Sequence, residues 1–264
     1  MSTNSALSCL LVHGWGMNHH VWHALQSQLP AWLETRALDL PGHGLRNQEG
    51  FACLQDLVVD LQRECESHKR KGKPLLLVGW SLGALPCLQL AWEQADLVDG
   101  LLLVSSNPCF VKRDAWPAGV EAKVFDQFAD SLKADFSGTI RRFLSLQVKG
   151  SESGRKTLRD LREKILQQPR PDQHSLDAGL EILKQVDIRE QLSAIQQPVS
   201  WALGGQDGLV KAGLADSLLE LMPQAKVDLY DKAGHAPFLS HTDAFKQQLI
   251  ECAETTIDKF NESN

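Results

Sequence analysis

Short apolar runs closed by turn signals punctuate the chain at residues 7–12, 35–38, 75–78, 101–104, 199–203 and 226–230. Their length and aliphatic content predict β-strands. Helix-length segments with amphipathic spacing lie between most of them, at 19–28, 54–68 and 82–94. Alternating strands and helices imply a mostly parallel sheet covered on both faces. The alternation stops after the fourth run. Residues 120–132, 140–148, 155–166 and 176–186 instead show four helical patterns separated by Gly, Ser and Pro breakers. This predicts an α/β core from 1–107 and 196–264, with a four-helix insertion over 108–195 lying as a lid on the carboxyl ends of the strands, where such sheets take their ligands.

At 264 residues the chain can bury a large core without staples. A formal net charge of −6 argues against nucleic acid or an anionic membrane as a general partner. No apolar run is long enough to span a bilayer, and no basic segment precedes the first one, so a cytoplasmic monomer is expected. The six cysteines form no Cys-x-x-Cys pair, which suits reduced thiols rather than a disulfide framework or a zinc site.

The chemistry enters where the third strand breaks into Gly79-Trp80-Ser81-Leu82-Gly83. A Gly-x-Ser-x-Gly turn between strand and helix lifts a serine hydroxyl out of the sheet in a strained conformation. The two glycines admit backbone where a side chain would collide, and the amide of Leu82 faces an oxyanion. A serine nucleophile needs a base and a group that orients the base. The fifth strand is followed by Gly204-Gly205-Gln206-Asp207, and the sixth by Asp231-Lys232-Ala233-Gly234-His235. Both loops leave the same sheet edge as Ser81, so Ser81, Asp207 and His235 are the expected catalytic set. His13-Gly14-Trp15-Gly16, after the first strand, offers the Trp15 amide as the second oxyanion donor and its indole as a pocket wall.

Other acidic and imidazole side chains stand in less suitable positions. Asp39 lies in Asp39-Leu40-Pro41-Gly42-His43-Gly44, whose Pro and Gly read as a structural turn. Asp228 and Asp231 stand too near His235 in sequence to orient it easily, and His241 falls at a helix start. His19, His20 and His23 lack a matching carboxylate or cysteine for a metal. Neither a metal nor an organic cofactor is expected.

With these residues in hand, the chain resembles the α/β-hydrolase superfamily along its whole length. Within it the chain is similar to the pimeloyl-[acyl-carrier protein] methyl ester esterases of biotin synthesis. The motifs above carry the superfamily likeness, together with Gly234-His235-Ala236-Pro237-Phe238. The narrower one rests on Ser105-Ser106-Asn107-Pro108-Cys109-Phe110, Phe143-Leu144-Ser145-Leu146-Gln147, Gly179-Leu180-Glu181-Ile182-Leu183-Lys184 and Asp207-Gly208-Leu209-Val210. The resemblance implies a carboxylesterase with Ser81, Asp207 and His235 as triad, and Trp15 and Leu82 at the oxyanion and substrate site. It also implies that Phe143, Leu144, Ser145, Leu146 and Gln147 line the acyl chain and that Arg142, Arg155 and Arg159 dock an acyl-carrier protein bearing the substrate; the sequence departs from the superfamily in beginning almost at its first parallel strand, so a shortened N-terminal edge of the sheet is expected. A fourth docking arginine of that family falls on Gly138 here, with Arg141 nearby. Independently, eight basic residues against three acidic ones between Arg141 and Lys164 make a positive patch in an acidic chain. Two other readings stand beside this one: a short-chain carboxylesterase without a carrier partner, and a ligand-binding hydrolase-fold protein without turnover.

Overall fold

The computed structural model describes residues 6–69, 72–114, 116–147, 165 and 167–263. Its sheet contains six strands, β1 (Leu7–Val12), β2 (Leu33–Leu38), β3 (Leu75–Trp80), β4 (Gly100–Val104), β5 (Val199–Gly204) and β6 (Lys226–Tyr230). All neighbours run parallel in the order β2-β1-β3-β4-β5-β6. No antiparallel strand precedes β1 among the described residues. β1, β3 and β4 are buried at every position, which explains their unbroken apolar runs: a central parallel strand has no solvent face.

Strand order reverses between β1 and β3. Val12 pairs with Gly79, so the turns leaving both strands open side by side at this switch point. β3 runs two residues beyond its apolar stretch, through Trp80, whose backbone pairs with Val104.

The major helices among the described residues are α1 (Leu54–His68), α2 (Ala84–Glu93), α3 (Lys123–Ala134), α4 (Phe136–Gln147), α5 (Gln173–Gln185), α6 (Leu214–Leu221) and α7 (Thr242–Ser263). The helix expected over 19–28 is instead a 3₁₀ turn, His19–Trp22, and one α-turn, His23–Gln26. The side chain of Asn18 caps the first by accepting from the His20 amide, and Asp39 takes the His19 amide. α2 likewise begins only after a 3₁₀ turn over Ser81–Gly83. Between β4 and β5, α3 starts later than its apolar pattern because Val120 is held in a bridge to Val111. α5 starts earlier, capped by the Asp172 carboxylate on the Ser175 amide. The pattern at 155–166 falls almost wholly outside the described residues.

Five of the six cysteines are buried and Cys53 is exposed; all six are free. Burial pushes the thiols of Cys65 and Cys252 up to about 12 and about 11.

α7 covers β4 closely. A β carbon on Gly100 would lie 2.2 Å from Thr256 Oγ1, so glycine is what lets helix and strand meet. Gly100→Ala is expected to cost about 1–3 kcal/mol by overpacking. Urea denaturation of the two proteins checks this, and a loss below about 0.5 kcal/mol, the usual surface range, would contradict it.

Candidate active site

Ser81 sits at φ 53°, a left-handed conformation that a residue with a β carbon rarely adopts. Bare backbone around it makes that possible. A β carbon on Gly79 would lie 2.5 Å from Ala84 Cα, one on Gly83 would lie 2.4 Å from the His13 carbonyl oxygen, and one on Gly14 would lie 3.2 Å from Ser81 Cβ. The turn is held from the side by Ser106, whose hydroxyl donates to the Ser81 carbonyl at 3.0 Å. Ser81 itself is buried.

The loops after β5 and β6 pack backbone against backbone. Gly205 N donates to Tyr230 O and Gln206 N to Ala233 O, both at 2.8 Å, and a β carbon on Gly204 would lie 2.0 Å from the Gly234 oxygen. This contact brings Asp207 to His235. Asp207 Oδ2 lies 2.7 Å from His235 Nδ1, while Oδ1 accepts from the amides of Leu209 (2.8 Å) and Val210 (3.0 Å). Every carboxylate oxygen is therefore committed, and the ring is set with Nδ1 as donor and Nε2 as acceptor. His235 Nε2 is buried and has no hydrogen-bond partner among the described residues. His235 is joined to the strand that leads into Ser81 by the indole of Trp80, which donates to His235 O at 2.8 Å. Phe238 stacks on Trp22 at 4.3 Å and meets Trp80 edge-on at 5.1 Å, fixing the same loop from behind.

Trp15 is buried, donates from Nε1 to Leu176 O at 2.8 Å, and meets the Phe128 ring at 5.1 Å. Leu82 is fully buried. All five residues expected on the acyl chain fall on α4: Leu144 is buried, whereas Ser145 is exposed and donates to Arg141 O at 2.8 Å. The side chains of Phe143, Leu146 and Gln147 lie outside the described set, as do Arg155 and Arg159 altogether. Arg142 is exposed, with Nη2 donating to Thr139 Oγ1 at 3.0 Å. A crevice of about 250 Å³ opens beside Gly16 and Asn18, bounded across the gap by Ile140, Ile165 and Arg170. A larger hollow, about 600 Å³ between Lys69, Asp99, Gln197 and Phe260, lies at the opposite end of the sheet and contains none of the catalytic candidates. Chemistry, not volume, marks the site.

Asp39 has its own partners. Its carboxylate takes His19 N (2.7 Å), His19 Nδ1 (2.8 Å) and Leu45 N (2.9 Å), so it organises the turn after β2 rather than serving His235. Burial works to raise this carboxyl, but the net direction is down, because the donors from His19 and Leu45 favour the carboxylate. Trp80, Ser106 and the His13 bonds described next were missed as site-supporting groups. Trp80 and Ser106 stood inside recognisable motifs, but only contacts across strands reveal what they do.

Taken together, a strained serine, a buried histidine with an open acceptor nitrogen and a carboxylate behind it can carry out acyl transfer. The chain belongs to the alpha/beta hydrolase family, whose model matches residues 9–248. It is 37% identical over 241 residues, 91% of each chain, to proteins of Salmonella newport and Salmonella typhi named pimeloyl-[acyl-carrier protein] methyl ester esterase. Among solved structures, an esterase from Exiguobacterium antarcticum aligns with a TM-score of 0.83 at 18% identity, covering 95% of this chain and 92% of that one. A thermophilic esterase from Thermogutta terrifontis aligns at 0.78 and 20%, covering 96% and 91%. No helix among the described residues is long and apolar enough to cross a membrane.

One titration behaviour follows from the site's frame. His13 is fully buried, with Nδ1 donating to Gly14 O at 2.8 Å and Nε2 accepting from Leu40 N at 3.0 Å. Protonation would set an N–H against an N–H. Burial, with His43 beside it, lowers the His13 pKa to about 3, and burial lowers His43 as well. In the window between about 6.5, the ordinary histidine value, and about 3 the unfolded chain binds this proton and the folded chain does not. The stability of the neutral ring is therefore complete above the upper limit and is lost as pH falls. ¹⁵N NMR is expected to show His13 as the neutral Nδ1–H tautomer at pH 5; a cationic ring there would refute the assignment.

Proposed function

We propose that this chain hydrolyses the methyl ester of a pimeloyl group carried on an acyl-carrier protein, through Ser81, His235 and Asp207. The observation that carries the chemistry is the buried Asp207–His235 pair, 2.7 Å apart, with Nε2 left open, on the same edge of the sheet as the strained Ser81. The substrate follows from the names of relatives matching 91% of the chain at 37% identity.

In this reading His235 Nε2 takes the Ser81 proton as Oγ attacks the ester carbonyl, and Asp207 stabilises the imidazolium that forms. The amides of Trp15 and Leu82 bind the oxyanion. The tetrahedral adduct collapses, the methoxy group leaves as methanol with the proton from His235, and an acyl-enzyme remains. Water, deprotonated by the same imidazole, then adds to the acyl carbonyl and releases the carboxylate and Ser81.

The segment 108–195 serves as a lid on the core of 1–107 and 196–264. Buried Leu144 is the part of α4 that supports an acyl-lining role for Phe143, Leu144, Leu146 and Gln147, while exposed Ser145 suits the rim. Arg142, Arg155 and Arg159 belong to a cluster of eight basic residues whose charge matches an acidic carrier. Reach then sets which bond breaks: a carrier held on the lid keeps the thioester near the surface while the distal ester meets Ser81. Binding energy from the carrier is converted into positioning.

Turnover of the carrier-borne methyl ester is expected to release methanol and leave the thioester intact by mass spectrometry; thioester cleavage, or no turnover, would overturn the proposal. Ser81→Ala should lower kcat by about 10⁴–10⁶ and Asp207→Asn by about 10⁴. Charge reversal at Arg155 and Arg159 should raise KM for the carrier-borne substrate while sparing a small soluble ester. Equal losses on both substrates would remove the docking role.

A further inference from the structure

We infer that the indole N–H of Trp15 is a positioning group for the oxyanion hole, and that one edge of α5, from Leu176 to Gly179, forms the fixed buttress of that hole. The inference rests on the proposed oxyanion role of the Trp15 and Leu82 amides. What it adds is the source of their rigidity.

Three contacts converge on that edge. Trp15 Nε1 donates to Leu176 O at 2.8 Å, a buried bond between residues 161 positions apart. One turn later Gly179 has no side chain, and a β carbon there would stand 2.7 Å from Trp15 Cδ1 and 3.2 Å from Leu82 Cδ2. Leu176 Cδ2 closes over the next residue of the turn, 3.7 Å from where a β carbon on Gly16 would be. The same short stretch of helix thus presses on Trp15, Gly16 and Leu82 at once. Phe128 of α3 meets the indole from another side at 5.1 Å.

The helix is itself anchored to the core. Asp172 N donates to Gly42 O at 2.8 Å, and its carboxylate accepts from Ser175 N (2.8 Å) and Ser175 Oγ (2.9 Å), tying the start of α5 to the turn after β2. A buried indole N–H that lost its carbonyl would be left unsatisfied, which opposes any swing of the ring out of this seat. Gly16, at φ 67°, leaves the turn no stiffness of its own at that position, so the ring bond supplies it. Donors aimed at developing charge act only when held in place beforehand. A displacement of about 1 Å in such a group costs on the order of 10² in rate.

Trp15→Phe keeps an aromatic ring, though a smaller one, and removes the donor; Gly179→Ala leaves the ring size unchanged. For a short methyl ester its kcat per active site, counted by fluorophosphonate titration, is expected to fall about 10- to 100-fold with KM within about threefold. Affinity for a trifluoromethyl ketone, which forms a hemiketal on the serine, should fall in parallel, while affinity for the matching alcohol stays unchanged. Gly179→Ala, which displaces the same seat from the helix side and leaves the indole intact, is expected to give the same signature. A purely structural role would lower the titratable fraction and the Tm without moving kcat per site or the ketone-to-alcohol ratio. Values within twofold of the unsubstituted protein in both variants would overturn the inference. If the unsubstituted protein forms no ketone adduct detectable by ¹⁹F NMR, the serine mechanism itself fails, and the buttress falls with it.

Discussion

Close backbone approach is the constraint on which everything at the carboxyl edge depends. At the exit of β3 the chain passes between the His13 carbonyl and the start of α2 with no β carbon in the gap, and that squeeze holds Ser81 at φ 53°. The pattern recurs where Gly204 meets Gly234 and Gly205 meets Asp231. Contacts of this kind are stiff because backbone has no rotamers to yield, so the strain at the serine persists instead of relaxing. Two rigid junctions, one under Ser81 and one under Asp207 and His235, let loops rather than strands hold these side chains without loss of precision.

A second layer of polar bonds refers the junctions to each other. Trp80 ties the end of β3 to His235, Ser106 ties the end of β4 to Ser81, and His13 ties the exit of β1 to that of β2. Each is a buried bond between elements distant in sequence, where an unmet partner is costly. His13 can fill its place only as a neutral ring, which is why a histidine so near the site contributes no charge to it.

Much of this was legible in the residues. β1 and β6 have the boundaries their apolar runs suggest, α1 matches its pattern from Leu54 to His68, and the glycines flanking Ser81 announce the turn. Other parts were hidden for definite reasons. The pattern at 19–28 is helical, but only a 3₁₀ turn and one α-turn form there, with Asn18 and Asp39 capping the His20 and His19 amides. α7 was not read as a long helix because its buried face carries polar residues. Gln248 bonds to Tyr230, Asp228 and the Trp201 carbonyl, and Thr256 turns its hydroxyl back to Cys252. Local periodicity finds elements, whereas bonds that link strand exits depend on strand order, which no single segment contains.

The bond from Trp80 to the carbonyl of His235 spans 155 positions, and His235 belongs to the last loop before the terminal helix. The bond thus joins a strand made in the first third of synthesis to a loop made near its end. A polypeptide still emerging from the ribosome, with β1 to β5 complete, would hold the Trp80 indole without the carbonyl it donates to. The finished site therefore doubles as a report that the chain has closed.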